Sequence, residues 1–235
     1  MPKKIKSLFF DLDHTLWDFD LNSELTLKEL IIEFDFNNIF NGFNANLFIQ
    51  LFNEINQELW EKLNQNKITV EELRLKRIQH AVEPFGKLEE RLCDSFNDRY
   101  LQVCPYKPHL MPKVHETLND LFQNGYKLYV LTNGFDHIQM TKLVSSGIFH
   151  FFENVITFTD TGVRKPDIQF FEFALNICKD EPEQCMMIGD NPVADLSGAQ
   201  KIDIETVWFN PKKQISHIKP DHEIACISEI VKILN

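Results

Sequence analysis

Two carboxylates that directly follow a short apolar run are the residues of this sequence best placed to do chemistry. Leu8, Phe9 and Phe10 form the run, which is typical of a buried strand, and Asp11 and Asp13 come after it. An unpaired charge at the end of a dry sheet is costly, and a hard cation such as Mg²⁺, which takes oxygen ligands, offsets that cost. The alternative is a turn in which Asp11 caps the next segment. The fragment therefore predicts either a cation site or a capped turn.

Three later segments carry residues that suit a phosphate or a cation. Thr132 and Asn133 end an apolar run with short hydrogen-bonding groups, which suit a phosphate oxygen, although a plain strand-to-loop turn has the same pattern. Lys165 is either a solvated residue at a helix start or a point charge that steadies a phosphoryl group. Asp190 ends another apolar run, and Asp195 follows about one helical turn later. Because carboxylates brought to one sheet edge repel each other, the acidic set implies a cation.

Composition and charge narrow the class of protein. The chain has 235 residues, 43% of them hydrophobic and 25% charged, as is ordinary for a soluble globular protein. Its net charge of −11 argues against a nucleic-acid polymer as partner. We find neither a membrane span nor an apolar stretch long enough for a signal peptide, and the five cysteines lack paired spacing. We expect a cytoplasmic monomer or homodimer that acts on a small molecule, away from membranes.

The chain alternates two kinds of sequence pattern. Short β-rich runs separated by helix-length segments occur in residues 1–17 and 105–235, and they predict an α/β fold with a Rossmann-like parallel sheet core. Residues 18–104 lack a strand pattern and predict an inserted all-helical cap domain. We predict strands at residues 8–10, 127–131, 155–158, 186–188 and 206–209. In such sheets, ligands bind beyond the carboxyl ends of the strands.

Helical periodicity dominates the predicted insertion. An apolar stripe recurs every four residues from Leu47 to Leu63, with Phe48 and Phe52 beside it. A capping-box signature from Thr69 to Glu72 predicts the start of another helix. The asparagine-rich stretch at residues 37–46 predicts a loop.

Four ordered motifs resemble those of the haloacid dehalogenase (HAD) superfamily. They are Asp11-x-Asp13-x-Thr15-Leu16, Thr132-Asn133, Lys165-Pro166, and Gly189-Asp190 with Asp195. The runs Asn133-Gly134-Phe135 and Gly162-Val163-Arg164-Lys165-Pro166 look most like the pyrimidine 5′-nucleotidase branch with a helical (C1-type) cap. Each motif is weak by itself, but the ordered set covers the chain.

The resemblance implies a role for each matching residue. Asp11 would be the nucleophile that forms an aspartyl-phosphate, and Asp13 would be the general acid and then the base. The metal ligands would be a carboxylate oxygen of Asp11, the backbone carbonyl of Asp13 and the side chain of Asp190, with Asp195 in or next to the coordination shell. The groups that hold the transferring phosphoryl oxygens would be those of Thr132, Asn133 and Lys165.

The resemblance also implies an activity. An acid at Asp13 favours phosphoester cleavage over dehalogenation, because an alkoxide needs a proton on leaving and a halide does not. We therefore expect a Mg²⁺-dependent phosphomonoesterase, with pyrimidine nucleoside 5′-monophosphates as the favoured substrates. The alternatives are a phosphatase or mutase for small sugar or glycolate-type phosphates, and a catalytically idle binding protein. Some cap residues are candidates either for substrate contact or for the cap's own core and surface: Trp17, Phe19, Phe48, Phe52, Trp60, Arg74 and Arg77.

Overall fold

The computed structural model describes residues 5–234, and the chain divides into two compact units. The first, called here the core unit, combines the chain up to Asp18 with the part from Pro108 onward. The second, the helical unit, is Phe19–Lys107. Between residues 5 and 234, no helix is both long enough and apolar enough to cross a membrane.

Helices and strands alternate in the core unit, and helices alone form the other unit. The strands are β1 (Ser7–Phe10), β2 (Lys127–Thr132), β3 (Asn154–Thr157), β4 (Cys185–Gly189), β5 (Glu205–Phe209) and β6 (His222–Ile224). The helices are α1 (Phe19–Glu33), α2 (Phe36–Ile39), α3 (Ala45–Asn64), α4 (Val70–Val82), α5 (Glu90–Val103), α6 (Val114–Gln123), α7 (Asp136–Ser145), α8 (Phe158–Thr161), α9 (Ile168–Cys178), α10 (Ser197–Gln200) and α11 (Ile230–Leu234).

The six strands form one parallel sheet in the order β3-β2-β1-β4-β5-β6, which confirms the predicted α/β fold. Both faces of the sheet are covered, so its central strands are apolar throughout: Leu8, Phe9 and Phe10 of β1 are fully buried. Strand β6 was not predicted. It has only three residues at the sheet edge, of which Ile224 alone is buried, so it leaves no apolar run in the sequence.

Strand register places the predicted site residues at one edge of the sheet. Phe10 of β1 pairs with Val130 of β2 on one side and with Ile188 of β4 on the other. Asp11 therefore comes level with the last residues of both neighbours, and neighbouring parallel strands lie about 4.8 Å apart. The chain extends the sheet from β1 to one side through β2 and β3 and to the other side from β4 onward. This reversal is the topological switch point at which α/β sheets bind ligands.

The helical unit differs from the sequence-based prediction in two places. Residues 37–46 were predicted as a loop, but α2 occupies Phe36–Ile39 and α3 already begins at Ala45. The apolar stripe of α3 is confirmed at Leu59 and Leu63 and at the flanking Phe48 and Phe52, which are all buried, but Leu47 at its start is 39% exposed. The first turn of α3 therefore places Phe48 rather than Leu47 in the core, since a larger aromatic ring buries more apolar area.

Two further features of the helical unit bear on the sequence analysis. The predicted capping box is confirmed: the Thr69 hydroxyl accepts from the Glu72 amide and the Glu72 carboxylate accepts from the Thr69 amide. Arg77, for which a solvated helix face was an open interpretation, is 4% exposed. Its guanidinium lies 5.0 and 4.8 Å from the ring centroids of Phe52 and Tyr100, so it belongs to the interior of the unit.

Candidate active site

The loop after β1 folds back on itself and holds its acidic residues at the sheet edge. The Asp11 amide donates to the carbonyl of Ile188 at 2.9 Å, which continues the β1–β4 pairing by one residue. The amides of Leu16 and Trp17 both donate to the carbonyl of Leu12, at 2.9 and 2.8 Å. These bonds close a tight turn around Asp13 and bury Trp17 completely.

Lys165 lies between two of the acidic residues. Its ammonium nitrogen Nζ is 2.8 Å from Oδ1 of Asp11 and 2.7 Å from Oδ1 of Asp195. It also donates to the carbonyl of Leu131 at 2.6 Å, so its three hydrogens have three acceptors. The side chain is only 1% exposed, and Lys165 is therefore a buried cation aimed at Asp11 rather than a solvated residue at a helix start.

Negative charge exceeds positive charge in this cluster, and the pKa values of its residues are shifted. Burial, opposed by Lys165 and reinforced by Asp195, raises the pKa of Asp11 from 3.8 to about 7. Burial together with the charges of Asp11 and Asp195 holds the pKa of Asp190 well above its usual range. Burial acts to lower the pKa of Lys165, but the two carboxylates beside it outweigh burial and raise that pKa. One lysine does not balance the charge of three carboxylates.

The acidic residues fit a divalent cation. Asp11, Asp190 and Asp195 each direct a carboxylate oxygen to within 4.8 Å of the other two. A set of carboxylate oxygens with excess negative charge is what Mg²⁺ binds in proteins, and bound cations reverse the pKa shifts that such a cluster otherwise suffers. Asp11 and Asp190 therefore lie within the separation that a shared cation needs. Their roles as ligands, and that of the Asp13 carbonyl, stay predictions.

Thr15 and Gly189 position two members of the acidic cluster. The buried Thr15 hydroxyl donates to Oδ1 of Asp190 at 3.3 Å and accepts from the Asp190 amide at 3.1 Å. Asp195 lies against Gly189: a Cβ at Gly189 would come within 2.2 Å of Oδ2 of Asp195. A glycine ends β4 because the carboxylate occupies the space of a side chain.

Thr132, which ends β2, and Asn133, which follows it, have different surroundings. Thr132 is 2% exposed, and its hydroxyl accepts from the Gly134 amide at 3.1 Å. The side-chain amide of Asn133 exchanges two hydrogen bonds with the backbone of Lys165, donating to its carbonyl at 2.9 Å and accepting from its amide at 2.7 Å. Asn133 thus holds the Lys165 segment against β2. Phosphate binding by Thr132 and Asn133 stays a prediction.

Two residues of α7 contact Asp13 and were not found from the sequence. The ammonium of Lys142 lies 2.6 and 2.8 Å from the two carboxylate oxygens of Asp13. The amide nitrogen of Gln139 donates to Oδ2 of Asp13 at 3.0 Å and to the Thr132 hydroxyl at 2.6 Å. Burial acts to raise the pKa of Asp13, but Lys142 and the hydrogen bonds outweigh it, so this pKa is lowered. The available signal was the spacing of Gln139 and Lys142, which puts both on one helix face after Thr132.

A parallel sheet whose central strand ends in two aspartates, with a buried lysine and two more aspartates at the same edge, defines a hydrolase of the haloacid dehalogenase-like class. The chain belongs to this family: the model of the haloacid dehalogenase-like hydrolases matches residues 5–203.

Individual relatives match nearly the whole chain. Pyrimidine 5′-nucleotidase PynA of Streptococcus pneumoniae is 30% identical over 98% of this chain and 95% of its own length. A crystal structure of the HAD-hydrolase YfnB of Bacillus subtilis, bound to magnesium, superposes with a TM-score of 0.87 at 28% identity and covers 99% of this chain and all of YfnB. Glyceraldehyde 3-phosphate phosphatase of Methanothermobacter thermautotrophicus is 27% identical over 93% of this chain and 90% of its own.

Proposed function

We propose that this hydrolase is a Mg²⁺-dependent phosphomonoesterase that forms an aspartyl-phosphate on Asp11 and favours pyrimidine nucleoside 5′-monophosphates. The observation that carries the proposal is the placement of the Asp11 carboxylate beside the Lys165 ammonium, 2.8 Å away, with carboxylate oxygens of Asp190 and Asp195 within 4.8 Å. A nucleophilic carboxylate needs positive charge on both sides when it approaches a phosphate dianion. Lys165 supplies one side and the proposed cation the other.

Asp11 is the nucleophile in the first step. A carboxylate oxygen of Asp11 forms a bond to phosphorus, the ester P–O bond breaks, and its electron pair passes to the leaving oxygen. Asp13 gives that oxygen a proton, and the alcohol departs. The pKa of Asp13 is low in this structure, and the negative charge of a bound phosphate raises it toward the protonated form that this step requires.

Water completes the reaction in the second step. Asp13, now a carboxylate, takes a proton from water as the water oxygen bonds to phosphorus. The acyl-phosphate bond then breaks, which releases inorganic phosphate and restores the Asp11 carboxylate. Mg²⁺ held by Asp11, Asp190 and the Asp13 carbonyl, with Asp195 beside it, would supply positive charge next to the phosphoryl oxygens. That YfnB was crystallised with magnesium supports the choice of metal.

The preference for pyrimidine nucleotides is supported by the likeness to PynA over nearly the full chain. A second candidate, a phosphatase for small sugar phosphates, is supported by the likeness to glyceraldehyde 3-phosphate phosphatase, whose identity is only slightly lower. The two candidates share the chemistry of the core unit and differ in what lies beyond the phosphate. Activity measurements on both classes of substrate are therefore needed to distinguish the two candidate functions.

Phosphate release from a panel of esters tests both the proposed phosphomonoesterase mechanism and the proposed nucleotide preference. The panel contains pyrimidine and purine nucleoside 5′-monophosphates, glyceraldehyde 3-phosphate and phosphoglycolate, each with Mg²⁺ and with EDTA. We expect the fastest turnover with a pyrimidine nucleotide, loss of turnover in EDTA, and a loss of at least about 10³-fold in Asp11→Asn.

A matched control is Asp180→Asn. Asp180 is also an ion-paired acid, but it contacts Ser7 and Lys127, which begin β1 and β2 at the opposite end of the sheet. This variant should keep its activity below its unfolding temperature. Sugar phosphates that outrun every nucleotide would contradict the nucleotide preference alone. Full turnover in EDTA, or by Asp11→Asn, would contradict the mechanism.

A further inference from the structure

Lys142 and Gln139 approach Asp13 from the helix that follows the Thr132 strand. Both side chains are buried, with 6% and 1% of their surface exposed, and both end on the Asp13 carboxylate. We propose that Lys142, together with Gln139, is a positioning residue that fixes the Asp13 carboxyl for proton transfer to the leaving oxygen. This inference rests on the proposed function, in which Asp13 is the general acid.

The contacts of Lys142 fix both the position and the rotation of the carboxyl group. Its Nζ is 2.6 Å from Oδ1 and 2.8 Å from Oδ2 of Asp13, so neither oxygen can turn away without losing a charge-assisted hydrogen bond. The ammonium is in turn held 4.6 Å from the ring centroid of Trp17, a fully buried residue of the same turn as Asp13. Lys142 is therefore itself fixed.

Gln139 connects this carboxyl to the end of β2. One amide group donates to Oδ2 of Asp13 and to the hydroxyl of Thr132. The residue proposed to protonate the leaving oxygen and a residue predicted to hold the phosphoryl group thus share hydrogen bonds with one buried side chain. Proton transfer requires hydrogen-bond reach, and a misplacement of about 1 Å can reduce a rate by about 10²-fold.

A positioning role of Lys142 predicts unequal losses of kcat/KM on two kinds of substrate. A nucleoside 5′-monophosphate expels an alkoxide, which needs the Asp13 proton, whereas p-nitrophenyl phosphate expels a phenolate that is stable as an anion. Loss of Lys142 should therefore lower kcat/KM far more with the nucleotide than with p-nitrophenyl phosphate. The value of kcat/KM shows this, because it reports the steps up to departure of the leaving group.

The experiment compares Lys142→Met, Lys142→Arg and Lys127→Met with the wild-type protein on both substrates. Lys142→Met should lower kcat/KM for the nucleotide by about 10²-fold and for p-nitrophenyl phosphate by less than about 5-fold. Lys142→Arg, which can contact both carboxylate oxygens, should recover much of the nucleotide activity. Lys127 forms its ion pair with Asp180, away from Asp13, and its variant should keep the wild-type ratio between substrates. Thermal melting shows whether each variant is folded.

Each outcome distinguishes the inference from the function on which it rests. Equal losses on the two substrates would assign Lys142 to phosphate binding or to folding and overturn the positioning role. Full nucleotide activity in folded Lys142→Met would also overturn it. A wild-type protein that hydrolyses neither ester would overturn the proposed function, and the inference with it. An active wild-type protein with a selective loss in Lys142→Met supports both.

Discussion

Asp11→Asn should stabilise the metal-free protein at alkaline pH while it abolishes turnover. The substitution keeps the shape of the side chain and removes one of three neighbouring negative charges, those of Asp11, Asp190 and Asp195. The sign follows from the raised pKa of Asp11, which is about 7 instead of 3.8, mainly because of burial. An acid with a raised pKa in the folded state contributes full stability below its unfolded pKa, and this contribution is lost as the pH rises through 7.

The size of the effect follows from the same pKa. For Asp11 taken alone, the difference between 3.8 and about 7 corresponds to about 4 kcal/mol at about 1.4 kcal/mol per pKa unit. Relative to Asp11→Asn, the wild-type protein should therefore lose about 4 kcal/mol of unfolding free energy between pH 4 and pH 8. The variant should be the more stable protein at pH 8 and similar to wild type at pH 4.

Urea denaturation in EDTA, followed by circular dichroism at both pH values, measures this difference. Asp180→Asn is the matched control with the opposite sign: the hydrogen bonds and charges around Asp180 outweigh burial and lower its pKa, so its loss should destabilise the protein at pH 8. If Asp11→Asn were no more stable than wild type at pH 8, the negative charge of Asp11 would not destabilise the folded protein as its raised pKa indicates. A cation would then not be needed to balance the charges of Asp11, Asp190 and Asp195.

Two further substitutions, one in the core unit and one in the helical unit, test contacts described above. Gly189→Ala should displace Asp195, because the new Cβ would lie 2.2 Å from its Oδ2, and it should lower the Mg²⁺-dependent melting shift and activity at least about 10-fold. In the helical unit, Arg77→Ala should destabilise by about 3 kcal/mol, measured by urea denaturation, because it leaves the carbonyl oxygens of Asn56 and Asn97 without their buried donor. A loss below about 1 kcal/mol would contradict this account.

Some of the site could be predicted because its signals are local in sequence. Asp11 and Asp190 each follow an apolar strand, and parallel strands end at one edge, so their proximity needs only the fold class. Local patterns also predicted the capping box at Thr69. They failed at the start of α3, where Leu47 and Phe48 are both apolar and only packing could decide which of the two is buried.

Sequence patterns alone predicted five of the six strands, because parallel strands buried on both faces must be apolar throughout, and they placed acidic residues after β1 and β4. The cations that pair with Asp11 and Asp13 became known only from the fold. Lys165 and Asp11 are 154 residues apart in the sequence, and Lys142 and Asp13 are 129 residues apart. No periodic pattern in the sequence predicts a contact between residues so far apart. Charges on separate elements are paired by the packing that brings those elements together, and the pKa of each acid follows from its partner.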